Sequence, residues 1–379
     1  MPDPLETPER RALRTTVRSF VEQEVLPHLD RWEREGIVPR ELHARAADAG
    51  LLGIGFDEAV GGSGGDALDR LVLTEEILLA GGSGGLVAAL LTHGIALPHL
   101  VAAGDGAQVD EFVRPVLAGR RIAALAVTEP DGGSDVASVR TRAERDADVF
   151  VVNGTKTYIT SGMRADLLTV LVRTGGPGHS GLSLLVVPTD TPGLVRRPLE
   201  KMGWHCSDTA EIGFVDVRVP VRNLVGAEGS GFLQVATQFV DERVGLAVQA
   251  YATAQRCLDL TVDWVRDRET FGRPLATRQL VRHRLVEMHR QVDVARTYTR
   301  QVAARHLEGD EVVAEAALAK NTAVAACDAV VDAAVQLHGG LGYMRGTEVE
   351  RHYRDARILG IGGGATEVMN ELVAARLGW

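Results

Sequence analysis

The chain has 379 residues, enough to bury a sizeable core and form two or three domains. Hydrophobic residues make up 45% and charged residues 24%, and aromatics only 4% beside abundant Ala, Val and Leu, which favours helix-on-helix packing over an all-β fold. The formal net charge of −10 argues against a broad nucleic-acid surface, though a local basic patch could still hold an anionic cofactor.

The opening residues, Met1 to Glu6, lack the basic and apolar regions of a secretory leader. No run of 18 or more uncharged apolar residues occurs, and the chain is expected to be soluble and cytoplasmic, with no membrane span. Residues 1–120 read as a helical domain. Leu13, Val17, Phe20, Val21 and Val25 form a helical stripe between Glu9 and Leu29. Leu71 to Leu79 and Leu86 to Leu97 are further apolar segments. The clusters Gly61 to Gly65 and Gly81 to Gly85 around them lack a strand before and a helix after, so they read as loops rather than phosphate cradles.

From 121 to 228 the period shortens. Val149 to Val152 and Thr155 to Thr160 flank Asn153-Gly154, which predicts a hairpin turn. Leu167 to Val172, Leu182 to Val187 and Ala210 to Val215 are further short strands, giving a small antiparallel β domain, a barrel or sandwich. From 229 to 379 the pattern is helical again. Val281, Leu285, Met288, Val292 and Ala295 form a bundle seam, and an alanine-rich helix from Ala314 to Leu337 stops at Gly339-Gly340. Cys206, Cys257 and Cys327 are widely spaced and read as reduced core or pocket fillers.

Several motifs occur in order across these three parts. They are Ala126-Val127-Thr128-Glu129-Pro130-Asp131-Gly132-Gly133-Ser134-Asp135, Asn153 to Gly162, Lys201-Met202-Gly203 with Asp208 to Glu211, Arg268-Glu269-Thr270-Phe271-Gly272 with Gln279, Gln336-Leu337-His338-Gly339-Gly340, and Arg354 to Glu367. Over nearly its whole length the chain resembles the acyl-CoA dehydrogenase family. The resemblance implies a mainly α fold with a central β domain: an N-terminal helical domain, a middle antiparallel β barrel or sandwich and a C-terminal four-helix bundle. It also implies FAD as cofactor, an acyl-CoA thioester as substrate, an electron-transferring flavoprotein as acceptor and a homotetramer.

Specific residues follow from the same resemblance. Val127 and Thr128 approach the isoalloxazine edge, while Tyr158, where the family usually has Trp, and Thr160 pack against and bond the ring. Arg268, Thr270 and Phe271 resemble the segment that reaches the FAD diphosphate of a neighbouring subunit, a task that suits the planar arginine fork. Gln279, Gln336, Gly339 and Gly340 resemble the remaining adenosine and diphosphate contacts. Thr366 stands one residue beyond Ala365, which replaces a flavin-contacting threonine, and Glu367 matches a flavin-proximal position. Ser134 resembles a serine that contacts CoA, or is a turn residue after Asp131-Gly132-Gly133. Asp241 and Arg243 are substrate-side candidates, Arg243 alternatively a partner for carboxylates that supports the fold.

The implied reaction removes an α-proton from the thioester while a β-hydrogen leaves as hydride to flavin N5, giving the trans-2-enoyl product. In many members the residue matching Gly363 is the carboxylate base. Here it is glycine, and Glu242 matches the alternative base position of the long-chain and isovaleryl branches. Apolar neighbours on both helix faces predict a buried Glu242 with a raised pKa. The Gly363 backbone N–H, which needs no side chain, is expected to bond the thioester oxygen. Gly362, Gly363 and Gly364 together are expected to leave room for a longer or branched acyl group. Three alternatives stand beside this reading: a carrier-protein-bound acyl thioester as substrate, an oxygen-using oxidase or monooxygenase, and an inactive helical scaffold.

Overall fold

The structure is a computed structural model that describes residues 6–379. The leader expectation rests almost wholly on Met1 to Leu5, outside the described residues. Four main helices open the chain: α1 (Pro8–Phe20), α2 (Leu29–Glu35), α3 (Glu41–Asp48) and α4 (Ala67–Leu79), followed by α5 (Gly84–Leu91) and the short α6 (His93–Ala96), α7 (Pro98–Ala103), α8 (Gly106–Gln108) and α9 (Arg114–Leu117). Their starts are written locally. Thr7 caps α1 ahead of Pro8, Asp66 and Asp69 form a reciprocal capping box at α4, and Ser83 caps α5 through the Leu86 N–H.

The central sheet holds β1 (Ala123–Ala126), β2 (Arg142–Asp146), β3 (Val149–Thr160), β4 (Leu167–Arg173), β5 (Leu182–Pro188), β6 (Leu194–Pro198), β7 (Thr209–Pro220) and β8 (Leu224–Val225). The order is β6-β7-β3-β2-β4-β5-β8, with β1 joined to β4. Most pairings are antiparallel, as expected, but β1 and β2 both run parallel to β4. Six successive residues of β4 and six of β5 are buried, which explains why both read as continuous apolar runs rather than alternating ones.

One local expectation is overturned. Asn153-Gly154 is not a hairpin turn: β3 runs straight through it, and the β2–β3 turn lies at Ala147-Asp148. The dipeptide forms a bulge opposite β7, where the register shifts between Val152 and Gly154. Gly154 has φ +148, and a Cβ there would come within 2.6 Å of Thr141 Oγ1. The Asn153 amide spends its hydrogen bonds on Asp216 of β7. Pairing on both sides of β3 has overridden the local turn preference.

The last part is built on α10 (Gly231–Asp267), α11 (Gln279–Leu307) and α12 (Val313–His338), with the small ribbon β9 (Glu269–Thr270) and β10 (Arg273–Pro274) between the first two. Three shorter helices follow: α13 (Gly340–Tyr343), α14 (Glu348–Ala356) and α15 (Thr366–Leu377). The long helices pack together as a bundle, α15 lies on α12, and α4 of the first region packs on α10. The expected seam on α11 is buried at Val281, Met288, Val292 and Ala295. Asp355 of α14 accepts the N–H groups of Trp204 and Gly85 at 2.6 and 3.4 Å, so a single carboxylate ties the three regions together. Among the described residues no single helix is long and apolar enough to cross a membrane. All three cysteines are free and buried.

Candidate active site

At 37 residues, α10 spans about 55 Å at the helical rise and carries Glu242 near its N-terminal third. Val240, Val244, Ala247 and Val248 around it are buried, while Glu242 itself is half-buried. Burial raises its carboxyl above the usual range, offset in part by the charges of Arg243 and Lys320. Opposite lies the loop between Gly360 and Thr366. Gly363 has φ +63 there, and a Cβ on it would meet Leu246 Cδ1 at 2.3 Å and Glu242 Oε1 at 3.3 Å. Among the described residues the Gly363 N–H donates no hydrogen bond, whereas Ile361 and Gly362 both donate to the Ile358 carbonyl. The two positions named as base and oxyanion donor are therefore neighbours in space.

The room expected from three consecutive glycines is only partly there. Leu246 and Glu242 fill the space at Gly363, and the Met369 methyl lies 2.4 Å from where a Gly364 Cβ would stand. Only Gly362 is open, its nearest neighbour the Ile358 carbonyl at 3.6 Å. Thr366 turns its hydroxyl to the Gly360 carbonyl at 3.4 Å, and Glu367 is exposed in the first turn of α15.

The two residues flanking Glu242 differ in their surroundings. Asp241 faces His306 Nε2 at 3.2 Å and Arg70 at 3.7 Å, so its carboxylate is already engaged by the protein. Arg243 lies over the Phe239 ring at 5.4 Å, and its Nε is buried without a hydrogen-bond partner among the described residues. Burial pulls its pKa down, opposed by Glu242. An orphaned guanidinium N–H beside the proposed base is a donor waiting for an acceptor from outside the chain.

A second group sits on the sheet. Thr157 donates its N–H to the Thr128 carbonyl at 2.9 Å, and Lys156 Nζ donates to the Val127 carbonyl at 2.8 Å and to Glu129 at 2.9 Å. These bonds pin the end of β1 against β3 beside Tyr158 and Thr160. Tyr158 has φ +59 and is 71% exposed, so its ring stands out from the strand with no cover from this chain. Glu129 also accepts the N–H groups of Arg140 and Thr141. Burial pulls the Lys156 ammonium down to about 8, against the pull of Glu129. For Glu129, burial raises the carboxyl, but Lys156 and the hydrogen bonds outweigh it and hold the group below its usual range. Ser134 is exposed in the following loop. Val127 and Phe239, one turn before Glu242, pack against the same apolar cluster and connect this group to the first.

A third group lies at the far end of α10. Arg268 is exposed, lies 5.9 Å from the Trp264 ring and makes no ion pair among the described residues. Arg278 donates to the Thr270 carbonyl and lies over Phe271, which is 98% exposed. Gln279 opens α11. Trp264 Nε1 donates to the Leu337 carbonyl and its ring stacks on His338, bringing Gln336, Gly339 and Gly340 to the same end. No hydrogen bond, ion pair or ring contact among the described residues connects this third group to Tyr158 or Glu242. The chemistry of the three groups fits a flavin dinucleotide: an uncovered aromatic ring and threonines for a flat heterocycle, and an unpaired arginine with exposed glycine backbone for a diphosphate.

Two site residues were not singled out from the sequence. Lys156 is fully buried, as is Lys320 of α12, whose Nζ donates to the Gly364 carbonyl. A signal was available. Only three of the 41 basic residues are lysines, Lys156, Lys201 and Lys320, and none of them is exposed. Where arginine does the surface work, a surviving lysine marks a place that needs a compact ammonium.

Family models place the chain in a known context. It matches the acyl-CoA dehydrogenase N-terminal domain over residues 7–120, the middle domain over 124–217 and the C-terminal domain over 229–378. It is 36% identical over 374 residues to the mitochondrial long-chain specific acyl-CoA dehydrogenase of Rattus norvegicus, covering 97% of this chain and 86% of that one. It is 35% identical to the probable acyl-CoA dehydrogenase YngJ of Bacillus subtilis, covering 98% of each. Among solved structures, a probable acyl-CoA dehydrogenase from Mycobacterium abscessus superposes with a TM-score of 0.97 at 64% identity, covering 98% of this chain and 99% of that one.

Proposed function

The chain belongs to the acyl-CoA dehydrogenase family of FAD-dependent oxidoreductases, and from that premise we propose that Glu242 is the base that takes the α-proton of its acyl-CoA substrate. The observation that carries this reading is the placement of the Glu242 carboxylate beside Gly363, its Oε1 3.3 Å from where a Cβ would start at the position where a base is otherwise expected. The carboxylate's raised proton affinity suits work near neutral pH. The free Gly363 N–H would donate to the thioester oxygen and stabilise the charge that develops there as the α-proton leaves. FAD, once bound, would supply the two-electron acceptor that takes the β-hydrogen as hydride, and the product would be the trans-2-enoyl thioester. Val127, Thr128, Tyr158 and Thr160 would hold the ring. Arg268, Thr270, Phe271, Gln279, Gln336, Gly339 and Gly340 would hold the dinucleotide end, with Thr366 and Glu367 nearby, and Ser134 the CoA.

The separation of the Arg268 group from the Tyr158 group within one chain supports a cofactor site shared between subunits, and a homotetramer is part of the proposal. The division at 1–120, 121–228 and 229–379 is part of it too, as is an electron-transferring flavoprotein as acceptor. The open side of Gly362 supports an acyl group bulkier than butyryl.

The test is anaerobic titration of the purified yellow protein with butyryl-, palmitoyl-, isobutyryl- and isovaleryl-CoA. Bleaching by at least one thioester, abolished in Glu242→Gln with FAD retained, supports the reading. Bleaching that survives in Glu242→Gln removes Glu242 as base, and a flavin that none of the four reduces turns attention to a carrier-bound thioester.

A further inference from the structure

Lys320 occupies a singular place. It lies in the first third of α12 in an alanine-rich run, is fully buried, and donates to the backbone carbonyl of Gly364. That carbonyl belongs to the residue following Gly363, so the bond fixes the loop that carries the proposed oxyanion donor. Glu242 Oε1 lies 3.3 Å from where a Cβ of the adjacent Gly363 would stand, so the ammonium and the carboxylate meet the same short loop, and each charge bears on the other. The charged groups that face Glu242 are Arg243 from its own helix and Lys320 from α12; the Gly360–Thr366 loop contributes glycines and Leu246 contributes a methyl. Arg243 is directed over Phe239. Lys320 is thus the cation that touches the loop on one side of the site and acts on the carboxylate on the other.

We propose that Lys320 is a positioning residue: it anchors the Gly362–Gly364 loop through the Gly364 carbonyl and holds the Glu242 carboxylate charged and ready against Gly363. A lysine suits both tasks. Its compact ammonium reaches a single carbonyl at the end of a thin apolar stem, which an arginine fork of greater width would not do inside a packed helix pair. Burial pulls its pKa down to about 8, so it remains charged at neutral pH, where the site must work. A buried cation needs a hydrogen-bond partner, and here the Gly364 carbonyl is one.

The inference rests on the reading of Glu242 as base for its meaning, but not for its test. The full-length FAD-loaded protein and its Lys320→Met and Lys320→Gln variants would be labelled with carboxyl-13C glutamate, and the Glu242 resonance assigned by its loss in Glu242→Gln. In Lys320→Met the Glu242 titration midpoint is expected to move upward, because a neighbouring positive charge has gone. In Lys320→Gln, which keeps a donor for the Gly364 carbonyl, the midpoint moves up in the same way. Flavin reduction by whichever of the four thioesters bleaches the native protein should slow on the order of 10- to 100-fold in Lys320→Met and less in Lys320→Gln. Lys320→Met is also expected to raise KM, as the loop loses its anchor, while Lys320→Gln keeps KM and shifts the pH profile.

A folded variant with an unmoved midpoint and an unchanged pH profile overturns the proposal. Should Lys320→Met not fold, Lys320→Gln decides alone, through the same midpoint. A moved midpoint together with full activity in Glu242→Gln would keep Lys320 as the partner of that carboxylate and remove the carboxylate from the chemistry. An unmoved midpoint with inactive Glu242→Gln would do the reverse.

Discussion

The Glu242 carboxylate and Gly363 occupy one another's space: a side chain starting at Gly363 would meet Oε1 of Glu242 at 3.3 Å and Cδ1 of Leu246 at 2.3 Å. A side chain at 363 is opposed first by Leu246 and only then by Glu242. If Glu242 is the base, glycine at 363 leaves α10 room to present it from the opposite side, while the backbone adopts φ +63 at little steric cost.

Moving the base back should therefore need three changes. Glu242→Gly with Gly363→Glu is expected to remain inactive and to lose thermal stability, since the new Cβ strikes Leu246 in a backbone conformation that side chains disfavour. Adding Leu246→Ala should restore measurable flavin reduction. Activity in the double variant without the third change would show that the Leu246 contact is soft.

Glu242→Gln should make the protein more stable at neutral pH while costing about 10²–10⁴-fold in the rate of flavin reduction. The folded state raises the Glu242 pKa above its usual 4.5, so the charged carboxylate opposes folding at every pH above the folded value. That cost falls away as pH drops towards 4.5, where both states become protonated. Thermal midpoints across pH 4–8 should show the variant ahead by on the order of 1 °C or more at the top of the range and level with native at the bottom. A constant offset at all pH values would point to packing instead.

Much of this arrangement was legible before any coordinates. Helix stripes and the apolar runs of β4 and β5 follow from residue order, and the nearness of Glu242 to Gly363 was expected from the family resemblance. Asn153-Gly154 misled because turn preference is a local quantity, and here β7 pairs along the far side of β3. The ion partners of Asp241, Arg70 and His306, were not legible because both are distant from it in sequence. Lys156 and Lys320 escaped notice because burial of a charge is decided by tertiary packing; only their rarity among so many arginines hinted at it.

Lys156→Met should destabilise the protein by about 3 kcal/mol or more, the usual cost of breaking a buried ion pair. Glu129 keeps its bonds from the Arg140 and Thr141 N–H groups, which limits the loss. The Val127 carbonyl, however, loses its donor, and the end of β1 beside Tyr158 loses an anchor. The expected readout is a lower denaturation midpoint with weaker FAD retention, and partial recovery of the midpoint in Lys156→Met with Glu129→Gln. Full FAD retention in the single variant would show that β1 is held well enough by the Thr157–Thr128 bond.

Arg268→Ala should separate cofactor binding from folding. Arg268 is exposed and makes no ion pair among the described residues, so its removal should change the stability of the apoprotein by no more than about 0.5 kcal/mol. If the Arg268 segment serves a neighbouring subunit's FAD, the variant should lose flavin on dilution well before the native protein does. The native protein should in turn release flavin at the concentrations where its oligomer dissociates. Light scattering and flavin absorbance recorded together on one gel-filtration run would follow both quantities. A native monomer that keeps one FAD per chain would remove the neighbouring subunit from the cofactor site.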